Sequence, residues 1–292
     1  MKKLLLLINP TSGKRALEDS LMHVVRIFAD AEYDVNIHLS QDQEDLFQYA
    51  YNGGDYDLIV CCGGDGTLNI VVDAVYHAGH NTLIGYIPGG TTNDFANSRH
   101  IDSIATGAAK QISEGIVRDV DLGILEGKPF VYVAAFGMFA DVSYLTSREN
   151  KQNFGHAAYV FSGIKSFAKA KTYSLHMEHD GEVLEGDFIF GMISNSKRIG
   201  GFELPIIKNV LYDDGEMEVT LVRKPKNPVD TTHLINCLLT QSSDEANIHT
   251  FKTASLRFSC DEEIPWSLDG EFGGSFKSGE IQVRGGAVRM IF

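Results

Sequence analysis

The sequence predicts a two-domain protein, in which an α/β domain with a parallel sheet precedes a mostly antiparallel β-sandwich domain. Through about residue 120, short apolar runs alternate with apolar residues at helical spacing, as in βαβ units. Farther on, runs of alternating polarity are separated by Asp-Gly turn signals, which are typical of antiparallel strands. We therefore expect domains at residues 1–120 and 121–292, and the last dozen residues are compatible with either one.

Four short apolar runs predict the strands of the parallel sheet. The first run, Leu4–Ile8, is apolar at every position and suits a strand buried on both faces. Apolar residues at helical spacing follow it from Leu17 to Phe28, which predicts a helix. The remaining predicted strands are Val35–Leu39, Asp57–Cys62 and Leu83–Ile87, and the remaining predicted helices are Leu68–Val75 and Ile101–Ile112.

The second half of the chain predicts antiparallel strands and one helix. Alternating polarity marks strands at Met217–Leu221, Leu256–Cys260 and Val288–Phe292. A helix is predicted near Pro228–Gln241, because proline suits the first helical turn and leucine and isoleucine recur at helical spacing behind it.

Composition and charge exclude several classes of function. The chain has 25 Lys+Arg and 39 Asp+Glu, a net charge of −14, which argues against a nucleic-acid partner. No run approaches the roughly 18 apolar residues that a membrane span needs, so we expect no transmembrane segment. The four cysteines contain no CxxC pair, which favours a reduced cytoplasmic protein.

Three loops rich in glycine, serine and threonine follow predicted strands of the first domain. The first loop, residues 9–14, reads NPTSGK and suits either phosphate binding at a helix start or an ordinary serine cap. The second loop, residues 63–69, reads GGDGTLN. Its Asp65 could reach a Mg²⁺ ion or could cap the next helix, and the residues alone favour neither interpretation.

The third loop, residues 88–96, reads PGGTTNDFA and follows the fourth predicted strand. All three loops should open at the carboxyl edge of the parallel sheet, where such sheets bind ligands. A fourth motif, Leu268–Glu271, reads LDGE in the second domain, and alone it favours a simple β-turn.

In this order and spacing, the four motifs resemble those of the diacylglycerol kinase catalytic-domain family, which includes bacterial soluble diacylglycerol kinases and sphingosine and ceramide kinases. The resemblance covers essentially the whole chain. Its most specific element is GGDGTLN at Gly63–Asn69 followed by PGGTTNDFA at Pro88–Ala96. NAD kinases share GGDG, but the NDFA stretch looks like the lipid-kinase branch.

The resemblance implies ATP-dependent phosphoryl transfer to a lipid hydroxyl in a cleft between the domains, with diacylglycerol as the expected acceptor and phosphatidic acid as the product. Glu271 matches the catalytic base, and Asp65 and Asp94 match acids that organise Mg²⁺ around the phosphates. The residues implied to surround ATP are Asn9, Pro10, Thr11, Ser12, Gly13, Ser40, Gly63, Gly64, Asp65, Gly66, Thr67, Leu68, Asn69 and Thr91.

The resemblance also implies a second, structural Mg²⁺ in a loop like residues 211–216. Its ligands would be the Leu211 carbonyl, the Asp214 carboxylate and the Glu216 carbonyl. One departure from the family concerns the position after NDFA, where arginine is common and this chain has Asn97, with Arg99 two residues later. Asparagine cannot clamp a phosphate bidentately, so either Arg99 substitutes or phosphate binding is weaker.

A lipid substrate requires contact with a membrane. The segment Phe154–Tyr173 combines apolar residues at helical spacing with Lys165, Lys169 and Lys171, so it could lie on an anionic surface, although an ordinary packed helix is the favoured interpretation. We expect a cytoplasmic protein, peripheral at the inner face of the membrane, and antiparallel edge strands could pair in a homodimer. The alternatives are an NAD-kinase-like enzyme and a non-enzymatic nucleotide- or lipid-binding regulator.

Overall fold

The structure is a computed structural model that describes most of the chain. The described residues are 1–11, 16–138, 170–196, 198–199, 202–203, 210–227, 229–231, 233–234, 237 and 247–292.

The first part of the chain forms a parallel sheet covered by helices. Strands lie in the order β2-β1-β3-β4, and every neighbouring pair among them is parallel. The elements are β1 (Lys2–Ile8), α1 (Ala16–Asp30), β2 (Tyr33–Leu39), α2 (Gln43–Tyr51), a 3₁₀ turn (Gly53–Asp55), β3 (Leu58–Gly63), α3 (Asp65–Ala78), β4 (Leu83–Pro88), α4 (Asp94–Ser98) and α5 (Ala105–Glu114).

Burial explains why the apolar runs become the central strands. The side chains of β1 from Leu4 to Ile8 and all of β3 are buried, because helices cover both faces of a parallel sheet. The helix predicted over Ile101–Ile112 begins only at Ala105. Its prediction was wrong at the start, because Asp102 turns the chain by accepting a hydrogen bond from the amide of Ile104.

The second part of the chain is built from antiparallel strands. Its own core includes Trp266, Phe136 and Tyr173, all fully or almost fully buried. Part of the region predicted as a helix is helical, at residues 229–231, 233–234 and 237. The strands are β5 (Val117–Leu125), β6 (Lys128–Phe130), β7 (Val133–Gly137), β8 (Tyr173–His179), β9 (Glu182–Ser194), β10 (Arg198–Ile199), β11 (Phe202–Glu203), β12 (Met217–Arg223), β13 (Ile248–Thr253), β14 (Ser255–Leu268) and β15 (Glu271–Ile291).

The long hairpin of β14 and β15 joins the two parts. β15 pairs with β14 near its beginning and with β5 near its end, and Met290 pairs in parallel with Ile84 of β4. The turn between β14 and β15 carries the LDGE motif. The predicted architecture, an α/β domain and an antiparallel β-rich domain, is confirmed, whereas the boundary at residue 120 stays a prediction.

Among the residues that the structure describes, no helix is both long and apolar enough to cross a membrane.

Candidate active site

The described part of the first loop, residues 9–11, meets the second loop at the carboxyl edge of β1, β3 and β4, and the second loop meets the third there. The amide of Asn9 donates to the carbonyl of Cys62 at 3.1 Å. The side-chain amide of Asn9 donates to the hydroxyl of Thr67 at 3.1 Å, which ties the first loop to the second. The amide of Gly89 donates to the carbonyl of Gly63 at 2.6 Å, which ties the third loop to the second. The predicted convergence of the loops is therefore present in the fold.

Glycine is required where the second and third loops meet. A Cβ atom on Gly90 would lie 2.7 Å from the Cα atom of Gly64 and 2.7 Å from Oδ1 of Asn93, closer than real side chains approach. Gly64 is also the N-cap of α3, so no cap side chain covers the first amides of that helix. Bare backbone at a helix start is a surface suited to phosphate groups.

Asp65 joins the second loop to the third. Its Oδ2 accepts the amide of Asp94 at 2.9 Å, and its Oδ1 accepts the amide of Phe95 at 3.2 Å. Asp65 therefore caps α4, a helix that begins 29 residues later, rather than α3, of which it is the first residue. Burial raises the pKa of Asp65 to about 6; the two amide hydrogen bonds lower it, and the nearby Asp94 and Asp269 raise it.

The LDGE turn is held by the carboxylate of Asp269, which is 4% exposed. Its oxygens accept the amides of Val131 at 2.7 Å and of Tyr132 and Val133 at 2.9 Å. Asp269 has a positive φ of 48°, a backbone conformation that aspartate tolerates in turns. Burial raises the pKa of this carboxyl, and the hydrogen bonds that it accepts oppose that rise.

One hydrogen bond brings the distant LDGE turn onto the second loop. The side-chain amide of Asn69 donates to Oδ2 of Asp269 at 2.7 Å, across 200 residues of sequence. As a result, Oε1 of Glu271 lies 3.6 Å from the position that a Cβ atom on Gly66 would take. Glu271 is exposed, so it can reach a molecule bound over the loops. Sequence analysis did not assign a role to Asp269, although its position directly before Gly270 and Glu271 was the available signal.

The other residues implied to surround ATP differ in their exposure and in their hydrogen bonds. Thr11 and Thr91 are exposed, and both the amide and the hydroxyl of Thr11 donate to Oδ1 of Asn9. The hydroxyl of Ser40 is buried and donates to the carbonyl of Ile8 at 3.2 Å. Leu68 packs in the first core. Pro10 is exposed, and Ser12 and Gly13 lie outside the described residues.

Arg99 is not simply a replacement for the arginine that the family commonly has at position 97. Its guanidinium carbon lies 3.3 Å from the centre of the Tyr212 ring, a close cation–π contact. Burial lowers the pKa of Arg99 to about 10, despite the opposing influence of Tyr212 and Asp213. Asn97 instead donates to the carbonyl of Thr92 at 2.8 Å and braces the third loop.

The donors near the loops fit a Mg²⁺ ion that arrives with a nucleotide. Such an ion is usually held by one or two carboxylates together with the phosphates, and Asp65 and Asp94 can supply these carboxylates. The negative charges of Asp94 and Asp269 contribute to the raised pKa of Asp65, so a cation beside these carboxylates would be favourable. Within the described ranges, no group of three or more His, Cys, Asp or Glu side chains could hold a metal without a ligand's help.

The raised pKa of Asp65 predicts a pH dependence of folding stability. In the unfolded chain this carboxyl titrates near 3.8, and in the folded chain near 6. Its contribution to stability is full below about pH 4 and is lost as the pH rises to about 6, a change of roughly 2–3 kcal/mol. Asp65→Asn cannot ionise, so its unfolding free energy, measured by urea denaturation, should lack this decline. Asp34→Asn, at an exposed site on β2, should follow the wild type; parallel curves for Asp65→Asn and wild type would refute the assignment.

Comparison with known proteins agrees with the geometry. Residues 3–125 match the model of the diacylglycerol kinase catalytic domain, and residues 132–292 match that of the YegS C-terminal NAD kinase beta sandwich-like domain. The diacylglycerol kinase of Bacillus subtilis (strain 168) is 27% identical over 278 residues, 94% of this chain and 91% of the relative. That of Staphylococcus carnosus (strain TM300) is 28% identical over 286 residues, 97% of this chain and 93% of the relative.

A solved structure shares the fold over the full length of this chain. The crystal structure of a candidate diacylglycerol kinase from Bacillus anthracis strain Sterne superposes with a TM-score of 0.85 and 27% identity, and the match covers 100% of this chain and 97% of that one. The glycine-rich loops, the acid Glu271 above them and these matches together identify a lipid kinase, a class of transferase that uses ATP. The chain belongs to the diacylglycerol kinase catalytic-domain family.

Proposed function

We propose that this lipid kinase transfers the γ-phosphate of ATP, bound with Mg²⁺, to the hydroxyl of diacylglycerol and so forms phosphatidic acid. The observation that carries the proposal is the position of Glu271 above Gly66, reached through the hydrogen bond between Asn69 and Asp269. An acid above a glycine-rich phosphate surface suits the activation of a hydroxyl that attacks a phosphoryl group. The names of the relatives support diacylglycerol as the acceptor.

Glu271 acts as the base in this proposal. It accepts the proton of the lipid hydroxyl while that oxygen forms a bond to the γ-phosphorus and the bond from this phosphorus to the bridging oxygen of ADP breaks. The start of α3, with its bare Gly64 cap, faces the phosphates. Asp65 and Asp94 would hold the Mg²⁺ ion, which when bound would neutralise phosphate charge. Asn9 would face the nucleotide, and the buried Ser40 supports the end of β1 behind it through its hydrogen bond to Ile8.

The lipid places the enzyme at the cytoplasmic face of a membrane, as a peripheral protein. Most of the segment 154–173 lies outside the described residues. Lys171 forms an ion pair with Glu262 at 2.7 Å, and Arg223 donates to His249 and to the carbonyl of Glu185, so these cations already have protein partners. Peripheral membrane contact and a homodimer are further parts of this proposal.

Transfer of labelled phosphate from ATP tests the function directly. Purified protein is incubated with labelled ATP, Mg²⁺ and vesicles that contain diacylglycerol, phosphatidylglycerol or neither, and in parallel with NAD, and the products are identified by mass. We expect labelled phosphatidic acid only where diacylglycerol is present. Label on NAD alone would support the NAD-kinase-like alternative, and a different labelled lipid would overturn diacylglycerol as the acceptor while leaving lipid kinase activity in place.

A further inference from the structure

In the loop that resembles the structural Mg²⁺ site, the carboxylate of the implied ligand set is already paired with a positive charge from the protein. The carboxylate of Asp214 is the only charged ligand in the implied set. Its Oδ2 already accepts a hydrogen bond from Nζ of Lys252 at 2.7 Å, and its Oδ1 accepts the amide of Glu216 at 3.2 Å. An ammonium group therefore occupies the side of the carboxylate that a cation would use.

Lys252 is held in place by a second acid. It lies on β13 directly opposite Glu218 of β12, and its Nζ is 3.2 Å from Oε1 of Glu218. The side chain of Glu218 is 8% exposed and that of Asp214 is 20% exposed. Burial raises the pKa of Glu218, and the hydrogen bond and charge of Lys252 oppose that rise, so Lys252 compensates the charge of this carboxylate. Buried carboxylates without a cation are strongly destabilising.

The loop held by this lysine connects both parts of the fold. We refer to residues 210–216 as the strap. The amide of Gly215 in the strap donates at 2.7 Å to Asp121, a buried residue of β5 that also accepts the amide of Gly286 from β15. Tyr212 of the strap stacks on Arg99, which directly follows α4. α4 is the helix that Asp65 caps in the active site.

We infer that Lys252, held between Asp214 and Glu218, is the resident cation of the strap, that it takes the place of the structural metal at Asp214, and that the strap of this protein is metal-independent. A lysine supplies one positive charge and a direct hydrogen bond, so two carboxylates and one ammonium suffice where a divalent ion would need several oxygen ligands. Lys252 is a positioning residue: it anchors the strap, and Tyr212 carries that anchorage to Arg99 and α4.

Melting temperatures without nucleotide test the inference. The wild type should melt at the same temperature in EDTA and in millimolar Mg²⁺ at matched ionic strength. Lys252→Ala in EDTA should melt roughly 4–10 °C lower, because Asp214 and Glu218 lose their counter-charge. Mg²⁺ should then restore a large part of the loss, since the vacated space lies between two carboxylates. Lys277→Ala, at an exposed position on β15, is the matched control and should melt like the wild type.

Two further variants keep the outcome unambiguous. Lys252→Ala combined with Asp214→Asn should show no recovery with Mg²⁺, and Lys252→Arg, which keeps a cation, should melt close to the wild type in EDTA. A rise of several degrees in the wild-type melting temperature with Mg²⁺, abolished by Asp214→Asn alone, would overturn the inference even if Lys252→Ala failed to fold. A Lys252→Ala variant that melted like the wild type in EDTA would overturn it as well.

Discussion

Glu271→Gln should lower kcat by roughly 10²–10⁴-fold, the range typical of a lost general base. Glutamine keeps the size and polarity of the side chain but cannot take a proton from the lipid hydroxyl. Glu271 is exposed and begins β15, so its replacement removes no buried contact. We therefore expect an unchanged melting temperature and unchanged affinity for ATP, measured by calorimetry.

Glu263→Gln provides the matched control for this prediction. Glu263 is an exposed glutamate on β14, away from the LDGE turn, so the same chemical change there should leave kcat at the wild-type value. Activity of Glu271→Gln within a few-fold of the wild type at saturating ATP and lipid would show that Glu271 is not the base. Because the phosphoryl transfer would continue, such a result would leave lipid kinase activity itself intact.

Asp269→Ala should have the largest effect on stability. It removes the acceptor of three buried amides, those of Val131, Tyr132 and Val133, and of the side chain of Asn69. Each unsatisfied buried donor costs about 1–3 kcal/mol, so the three amides alone should lower the unfolding free energy by roughly 3–9 kcal/mol. Activity should fall with it, because the turn that carries Glu271 loses its anchor.

Two variants separate the anchoring role of Asp269 from its contribution to folding. Asn69→Ala removes the link between the loop and the turn and a longer hydrogen bond to the carbonyl of Pro129 at 3.5 Å, so it should lower kcat strongly with a loss of about 1–2 kcal/mol in stability. Asp261→Ala, at an exposed position on β14, should leave both unchanged. Full activity in Asn69→Ala would show that Glu271 is positioned without this hydrogen bond.

The four parallel strands of the first domain and its helices α1, α3 and α5 followed from the sequence, whereas the short helices α2 and α4 were not predicted. Fully apolar runs such as Leu4–Ile8 are unambiguous, because only strands covered on both faces need an apolar side chain at every position. Errors arose where local hydrogen bonds overrule apolar spacing. At Asp102, a single side chain accepts the amide of Ile104 and delays the start of α5, and apolar spacing contains no information about such a turn.

The motifs of the candidate site were predictable from the sequence, but the contacts that each of its residues makes were not. Three glycine-rich loops after parallel strands had to meet at one edge, and they do. The partner of Asp65 lies at the start of α4, and the partner of Asn69 lies 200 residues away, so neither contact follows from spacing. Lys252 carries no motif at all, and only the pairing of β13 with β12 places it beside Asp214 and Glu218.

The sequence by itself determined the fold class, the family and the identity of the chemical groups: glycine-rich loops for phosphates and an acid, Glu271, for a hydroxyl. These properties are local, since apolar period and loop composition act within a few residues. The tertiary structure decided how those groups are held, through Asp269 under the turn, Asp65 at α4 and Lys252 at the strap. Each of these is a buried or partly buried carboxylate or its counter-charge, and burial and partners arise only when distant segments pack together.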